Sequence, residues 1–185
     1  MATKNDETYL VPPPGPCCWL GTIHKGTPRG KMETIEDTPT YIATPAADKA
    51  NGHVVLYFPD VWGMSVNAQL LMDGFADAGF LTFGMDYFRG DPISKYRQTK
   101  TDPLPEGFDH AAWRAKHFNY ATETVPKWTA AVKAQYAPAP TAKYACTGYC
   151  FGAPFVMTLL AGDSVAAGAF AHPTALKEEH FQAVK

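Results

Sequence analysis

Three short apolar runs stand out along the chain, at residues 54–58, 80–85 and 144–147. Runs of this length without polar alternation predict strands covered on both faces, as in a parallel sheet. Between the first two, Leu70, Leu71, Gly74, Phe75 and Ala78 recur at helical spacing up to Gly79, a natural C-terminal stop. From residue 109 onward, Trp113, His117, Tyr120, Ala121, Val125, Trp128, Val132 and Tyr136 fit one helical face. Pro126 interrupts that face and predicts two helices, because proline lacks an N–H and its ring clashes with the preceding turn. A further helix is predicted over 155–160, and a strand over 165–171 that stops at His172-Pro173-Thr174. This order predicts an α/β fold, a mostly parallel sheet flanked by helices, with its ligand site at the carboxyl ends of the strands.

The remaining stretches read differently. Residues 1–40 are rich in Pro, Gly, Thr and charge and predict an extended lead-in, stiffest at 11–16, with 40–43 as its strand candidate. The connection from 86 to about 108 is long and polar, the kind of segment that forms lids or binding loops. Residues 176–185 suggest a short amphipathic segment. At 185 residues all of this fits one domain.

Composition narrows the function more than the fold. A formal net charge of −2 gives no reason to expect nucleic acid or an anionic membrane as partner, and no run approaches the length of a membrane span. The polar start at residues 1–7 lacks the apolar centre of a secretory signal, so a cytoplasmic location and reduced thiols are expected. Cys17 and Cys18 precede Trp19 without a second ligand pair nearby, which favours packing over metal binding. No metal and no cofactor is expected, and a small molecule is the expected partner.

The chemistry centres on Gly148-Tyr149-Cys150-Phe151-Gly152, between a predicted strand and a predicted helix. Such a turn can lift its central side chain clear of the sheet, with glycines on either side because a Cβ would clash. The helix start favours a thiolate and offers an N–H to a developing oxyanion. The same sequence also suits a buried structural cysteine in a glycine-rich turn. Four predicted loops meet at the same rim, and each carries a usable group: Asp60, Arg89, Cys150 and His172. That convergence favours a reactive thiol. His117 lies on an apolar stripe and reads as a core histidine, His110 as an exposed residue at a helix start, and His24 and His53 as solvated.

Three separated motifs, Asp60-Val61-Trp62-Gly63, Asp86-Tyr87-Phe88-Arg89-Gly90-Asp91 and the Cys150 turn, resemble the dienelactone hydrolase family of α/β-hydrolases, and the lead-in from Cys17-Cys18 to Thr44-Pro45 resembles its fungal members. The resemblance implies that Cys150 is a nucleophile attacking an ester or lactone, with the N–H groups of Phe151 and Val61 holding the oxyanion. It also implies that Asp60 stands where bacterial members carry a glutamate, and that Arg89 receives a substrate carboxylate. Trp62 and Tyr149 complete the expected substrate-binding set. The order nucleophile, acid, histidine implied by this fold has no complete counterpart after Cys150, where only Asp163, Glu178, Glu179, His172 and His180 occur. His172 alone falls on the correct rim. The expectation is therefore a chain truncated at its C-terminal side, with an open sheet edge through which it associates. A truncated form with a binding or regulatory role is the alternative, and an amidotransferase-like enzyme, which uses a similar elbow, is a third.

Overall fold

The computed structural model describes residues 9–11, 24–136 and 139–185. Its centre is a six-stranded sheet. Strands β2 (Lys31–Ile35), β3 (Thr38–Ala43), β4 (Val54–Phe58), β5 (Leu81–Met85), β6 (Tyr144–Tyr149) and β7 (Ala167–Ala171) lie in the order β2-β3-β5-β4-β6-β7. The pairs β5–β4, β4–β6 and β6–β7 are parallel, while β2 and β3 form an antiparallel hairpin at one edge. Apart from this sheet, β1 (Tyr9–Val11) pairs antiparallel with β8 (Leu176–Lys177). The sequence predicted the three central strands because all five residues of β4 and most of β5 and β6 are buried.

Alternation along these strands sorts the core into two faces. Val54, Leu56 and Phe58 point with Ile42 into a large cluster completed by helices α2 (His110–Tyr136) and α3 (Ala153–Leu160). Tyr57, Tyr41 and Ala43 point the other way, onto helix α1 (Val66–Asp77). Across the first face, Trp128 Nε1 donates to Thr40 Oγ1 at 2.9 Å, so a buried polar pair ties α2 to β3.

Four expectations need correction. The stretch predicted as two helices is one, with Pro126 inside α2. Packing on both sides of the proline, through Ala121, Val125, Trp128 and Val132, holds the helix together across the missing N–H. Strand β2 was not expected. Its residues run Lys31, Met32, Glu33, Thr34, Ile35 with only the last buried, so an exposed edge strand left no apolar signature. It turns into β3 through Glu36 and Asp37, both at positive φ (48° and 55°), a primed two-residue turn without glycine. Third, α1 buries Ala68, Met72, Asp73 and Ala76, while Gly74 and Ala78 are exposed. Its inner face is offset from the predicted stripe because a buried carboxylate belongs to it: Asp73 accepts from Tyr41 Oη at 2.9 Å and from the Arg29 N–H at 2.8 Å. Finally, the connection after β5 is less polar than expected, since Tyr87, Phe88 and Ile93 are fully buried. The extended stretch at 12–16 and the Cys17-Cys18-Trp19 group lie outside the described residues, as does the rest of 12–23.

Two of the lone histidines also find their places. His110 is exposed at the start of α2, while His53 is half-buried and accepts the Lys143 N–H at 3.3 Å. At the far edge of the main sheet, β7 pairs with β6 only, and four of its five residues are exposed. Among the described residues no helix is long and apolar enough to cross a membrane.

Candidate active site

Strand β6 ends at Tyr149, and the chain turns at once through a single 3-10 turn, Cys150–Gly152, into α3. Cys150 has φ +51°, a conformation that costs a non-glycine residue on the order of 1 kcal/mol or more. Its neighbours explain how that is held. A Cβ on Gly148 would come within 2.7 Å of the Gly152 carbonyl oxygen and of Val156, and one on Gly152 within 2.2 Å of the Phe58 carbonyl oxygen. Both glycines are therefore required by close backbone approach, as the sequence suggested. The Cys150 carbonyl is anchored too, accepting from the N–H and the hydroxyl of Thr174, each at 3.3 Å.

Because β4 and β6 are parallel neighbours with Phe58 opposite Gly148, the loop after β4 arrives beside Cys150. That loop is a tight turn. Asp60 Oδ1 accepts the Trp62 N–H at 2.8 Å, and the Asp60 carbonyl accepts the Gly63 N–H at 3.0 Å. The Val61 carbonyl accepts the Ile93 N–H at 2.9 Å. The Val61 N–H has no acceptor among the described residues. Burial pushes the Asp60 carboxyl above the usual range, partly opposed by the Trp62 N–H and by the nearby charges of His172 and Lys100. The carboxylate thus serves its own loop.

The floor of the site is aromatic. Phe151 packs against Tyr87, Phe88, Phe118 and Phe155 at centroid distances of 5.3, 5.1, 5.8 and 6.0 Å. Tyr87 donates its hydroxyl to the Pro59 carbonyl, and burial keeps it protonated, far above the ordinary tyrosine range. Tyr149 packs at a tilt against Tyr57 (5.3 Å) and His172 (6.0 Å). His172 is exposed, with φ +37°.

The structure therefore gathers Asp60, Val61, Trp62, Tyr149, Cys150, Phe151 and His172 around the end of β6. Arg89 is different. It sits at φ +53° in a turn built by Asp86, whose Oδ1 accepts the N–H groups of Phe88 and Arg89 (3.1 and 3.2 Å). Its guanidinium lies 3.6 Å from the ring centroid of Tyr120 on α2. Sequence reasoning gave no role to Tyr87, Thr174, Arg97 or Lys100. Arg97 reaches over Trp62, 5.9 Å from its ring centroid, and Lys100 is felt at Asp60. Nothing local distinguishes these from loop residues; only the fold brings them to the rim. His117, read as a core histidine, is fully buried, with Nε2 3.0 Å from Asp91 Oδ2.

Comparison with known proteins bears on the family and the fold. Residues 38–185 match the model of the dienelactone hydrolase family. "Dienlactone hydrolase 1" of Gibberella moniliformis is 42% identical over 187 aligned positions, covering 100% of this chain and 70% of the relative. "Dienlactone hydrolase 2" of the same fungus is also 42% identical, over 159 positions, covering 85% of this chain and 67% of that one. Among solved structures, m3DLH superposes with a TM-score of 0.58 at 15% identity, over 85% of this chain and 65% of its own, which speaks for the fold. The chain thus spans about two thirds of the length of these relatives. An α/β-hydrolase-like sheet, the strained turn at its centre and the extent of these matches lead to one conclusion: the chain belongs to the dienelactone hydrolase family.

Proposed function

We propose that this chain carries the nucleophilic half of a thiol hydrolase acting on small esters or lactones through an acyl-enzyme. One observation carries the reading: a cysteine held at positive φ between two glycines whose Cβ positions are already filled by backbone and core. Strain of this kind persists only where the surroundings enforce it, and it directs the thiol to where strand ends and loops converge. In the proposed step, Cys150 Sγ attacks the carbonyl carbon and the carbonyl oxygen becomes an oxyanion held by the Phe151 and Val61 N–H groups. Collapse of the intermediate expels the alkoxide, which takes up a proton, and leaves a thioester on Cys150.

Hydrolysis of that thioester needs a base to activate water. After Cys150, Asp163 is exposed and 3.8 Å from Lys185, and His180 Nδ1 accepts the Lys177 N–H at 2.9 Å. His172 stands at the rim without a carboxylate ion pair among the described residues. The 185-residue chain should therefore acylate once and release slowly. With p-nitrophenyl acetate we expect a burst of about one equivalent of p-nitrophenol and an acetyl group on the Cys150 peptide by mass spectrometry. Cys146, whose thiol burial pushes up to about 12, should stay unmodified. Acetylation of Cys146, Cys17 or Cys18 ahead of Cys150 would refute the reading. Steady turnover lost in His172→Ala would instead make Cys150 and His172 a working pair.

We also infer self-association through β7. Its outer edge pairs with no strand among the described residues, and such an edge offers unpaired N–H and C=O groups to a second chain. Elution in size-exclusion chromatography should shift toward dimer or larger species with concentration. Ala169→Lys, which puts a charge on the exposed strand, should restore the monomer. A monomer at every concentration would remove this proposal.

A further inference from the structure

Behind the proposed oxyanion donor lies a polar cluster that the reaction scheme does not use. Asp91 follows the Asp86 turn and is held from several directions. Its Oδ1 accepts from Tyr96 Oη at 2.6 Å, and its Oδ2 lies 2.9 Å from Lys116 Nζ and 3.0 Å from His117 Nε2. Its backbone carbonyl accepts Trp113 Nε1 at 3.1 Å, its own N–H donates to the Phe88 carbonyl at 3.0 Å, and Lys95 Nζ lies 3.6 Å from Oδ1. Three of these partners, Trp113, Lys116 and His117, occupy successive turns on one side of α2, so Asp91 is clamped to that helix.

His117 is an unusual partner. It is completely buried, and burial holds its pKa below the ordinary histidine value, with Asp91 partly offsetting this. Because a carboxylate only accepts, the Nε2–H donates to Asp91. Its Nδ1 meets no partner at full hydrogen-bond geometry among the described residues, although the Tyr87 backbone carbonyl lies close enough to favour a proton there. A buried histidine with one committed nitrogen is an expensive way to fix a loop unless the position of that loop matters.

What the loop touches gives the reason. The two residues after Asp91 press directly on the 60–63 turn. Ile93, itself buried, donates its N–H to the Val61 carbonyl at 2.9 Å, and a Cβ on Gly63 would lie only 3.1 Å from Pro92 Cβ. Within the 60–63 turn, the N–H groups of Trp62 and Gly63 are already committed to Asp60. The 91–93 segment therefore supports the turn from outside, and the Val61 N–H is left uncommitted among the described residues.

We infer that Asp91, clamped to α2 by His117, Lys116 and Trp113, is a positioning residue that acts through Pro92 and Ile93 to hold the Val61 N–H where the oxyanion forms. The inference rests on the proposed role of that N–H and goes beyond it by naming what holds it in place. Its signature is a split between two reactions of one thiol. Acylation develops an oxyanion and needs the donor; alkylation by iodoacetamide displaces iodide and develops none at the reacting carbon.

The test compares p-nitrophenyl acetate burst rates with iodoacetamide rates at Cys150 in the 185-residue chain. Asp91→Ala should slow acetylation about tenfold, as a misplaced donor of this kind does, while alkylation stays within about twofold. Asp91→Asn, which keeps an acceptor oxygen for Tyr96 or His117, should fall between. Tyr96→Phe removes one hydrogen bond without emptying the core, and a severalfold loss confined to acetylation is expected there even where Asp91→Ala does not fold. Unchanged acetylation in folded Asp91→Ala, or equal slowing of both reactions, would overturn the inference. In the event that Asp91→Ala does not fold, unchanged acetylation in Tyr96→Phe overturns it. Absence of acetylation in the unsubstituted chain would overturn the functional reading first, and the inference with it.

Discussion

Gly152→Ala should destabilise this chain by about 3 kcal/mol or more, at the upper end of what overpacking costs. The backbone at Gly152 (φ −79°, ψ −17°) is one that alanine adopts readily, so the cost is steric rather than conformational. The new methyl would sit 2.2 Å from the Phe58 carbonyl oxygen and 2.7 Å from its carbon. Phe58 ends β4, an entirely buried strand paired on both sides, and neither it nor the elbow can move without breaking ladder hydrogen bonds. Against a total stability of roughly 5–15 kcal/mol, such a loss leaves much of the chain unfolded under mild denaturant. Gly90→Ala is the control. Gly90 has φ +76° but nothing within 4 Å of its Cβ position, so the cost there should be about 1–2 kcal/mol. Urea titration of both variants separates the two causes. A midpoint for Gly152→Ala above that for Gly90→Ala would mean that the elbow does not pack on β4 as described.

Cys150→Ala should leave the fold intact and abolish covalent chemistry. Alanine accepts the +51° conformation about as well as cysteine does, and the bonds from Thr174 go to the backbone carbonyl, which survives the change. Stability should shift by about 1 kcal/mol or less, the transfer value of one small group. The acetylation burst, in contrast, should fall by on the order of 10³-fold or more, because no other described thiol is both at a helix start and outside the sheet. Cys146 is the other described cysteine; both thiols are buried, but Cys146 lies within β6 whereas Cys150 sits in the turn into α3. Melting curves and peptide mapping after p-nitrophenyl acetate treatment check both halves. A residual burst within tenfold of the unsubstituted chain would place the nucleophile elsewhere.

What could be read in the sequence follows from how local each signal is. Strands β4, β5 and β6 announced themselves because burial on both faces leaves continuous apolar runs. The elbow did so because two glycines frame one cysteine. Strand β2 left no such mark, since its only buried residue is Ile35 and its turn places two acidic residues, rather than glycine, at positive φ. Pro126 suggested a break that tertiary packing along α2 overrides. The offset face of α1 depends on Asp73, whose partners Tyr41 and Arg29 lie more than thirty positions away. The candidate site divides in the same way. Asp60, Val61 and Cys150 could be placed from short motifs, whereas the support given by Asp91, Ile93 and His117 exists only once α2 packs beside the loop. Arg89 shows the converse: its motif is plain, but its guanidinium lies over the ring of Tyr120, a partner that no spacing along the chain reveals.

The small sheet formed by β1 and β8 has a consequence for how the polypeptide matures. Tyr9 pairs with Lys177 and Val11 with Leu176, so residues 9–11 meet their partner only once residues 176–177 have emerged, more than 160 positions later. At ~5–20 residues per second that interval is on the order of ten seconds or more, long compared with the microseconds in which a local hairpin such as β2–β3 closes. During translation residues 9–11 must wait for β8 while the strands of the main sheet, which lie between them in sequence, emerge first. Their docking is thus a late event that reports completion of the chain through residue 177, and nascent chains stalled before that point should expose residues 9–11 to proteases and chaperones.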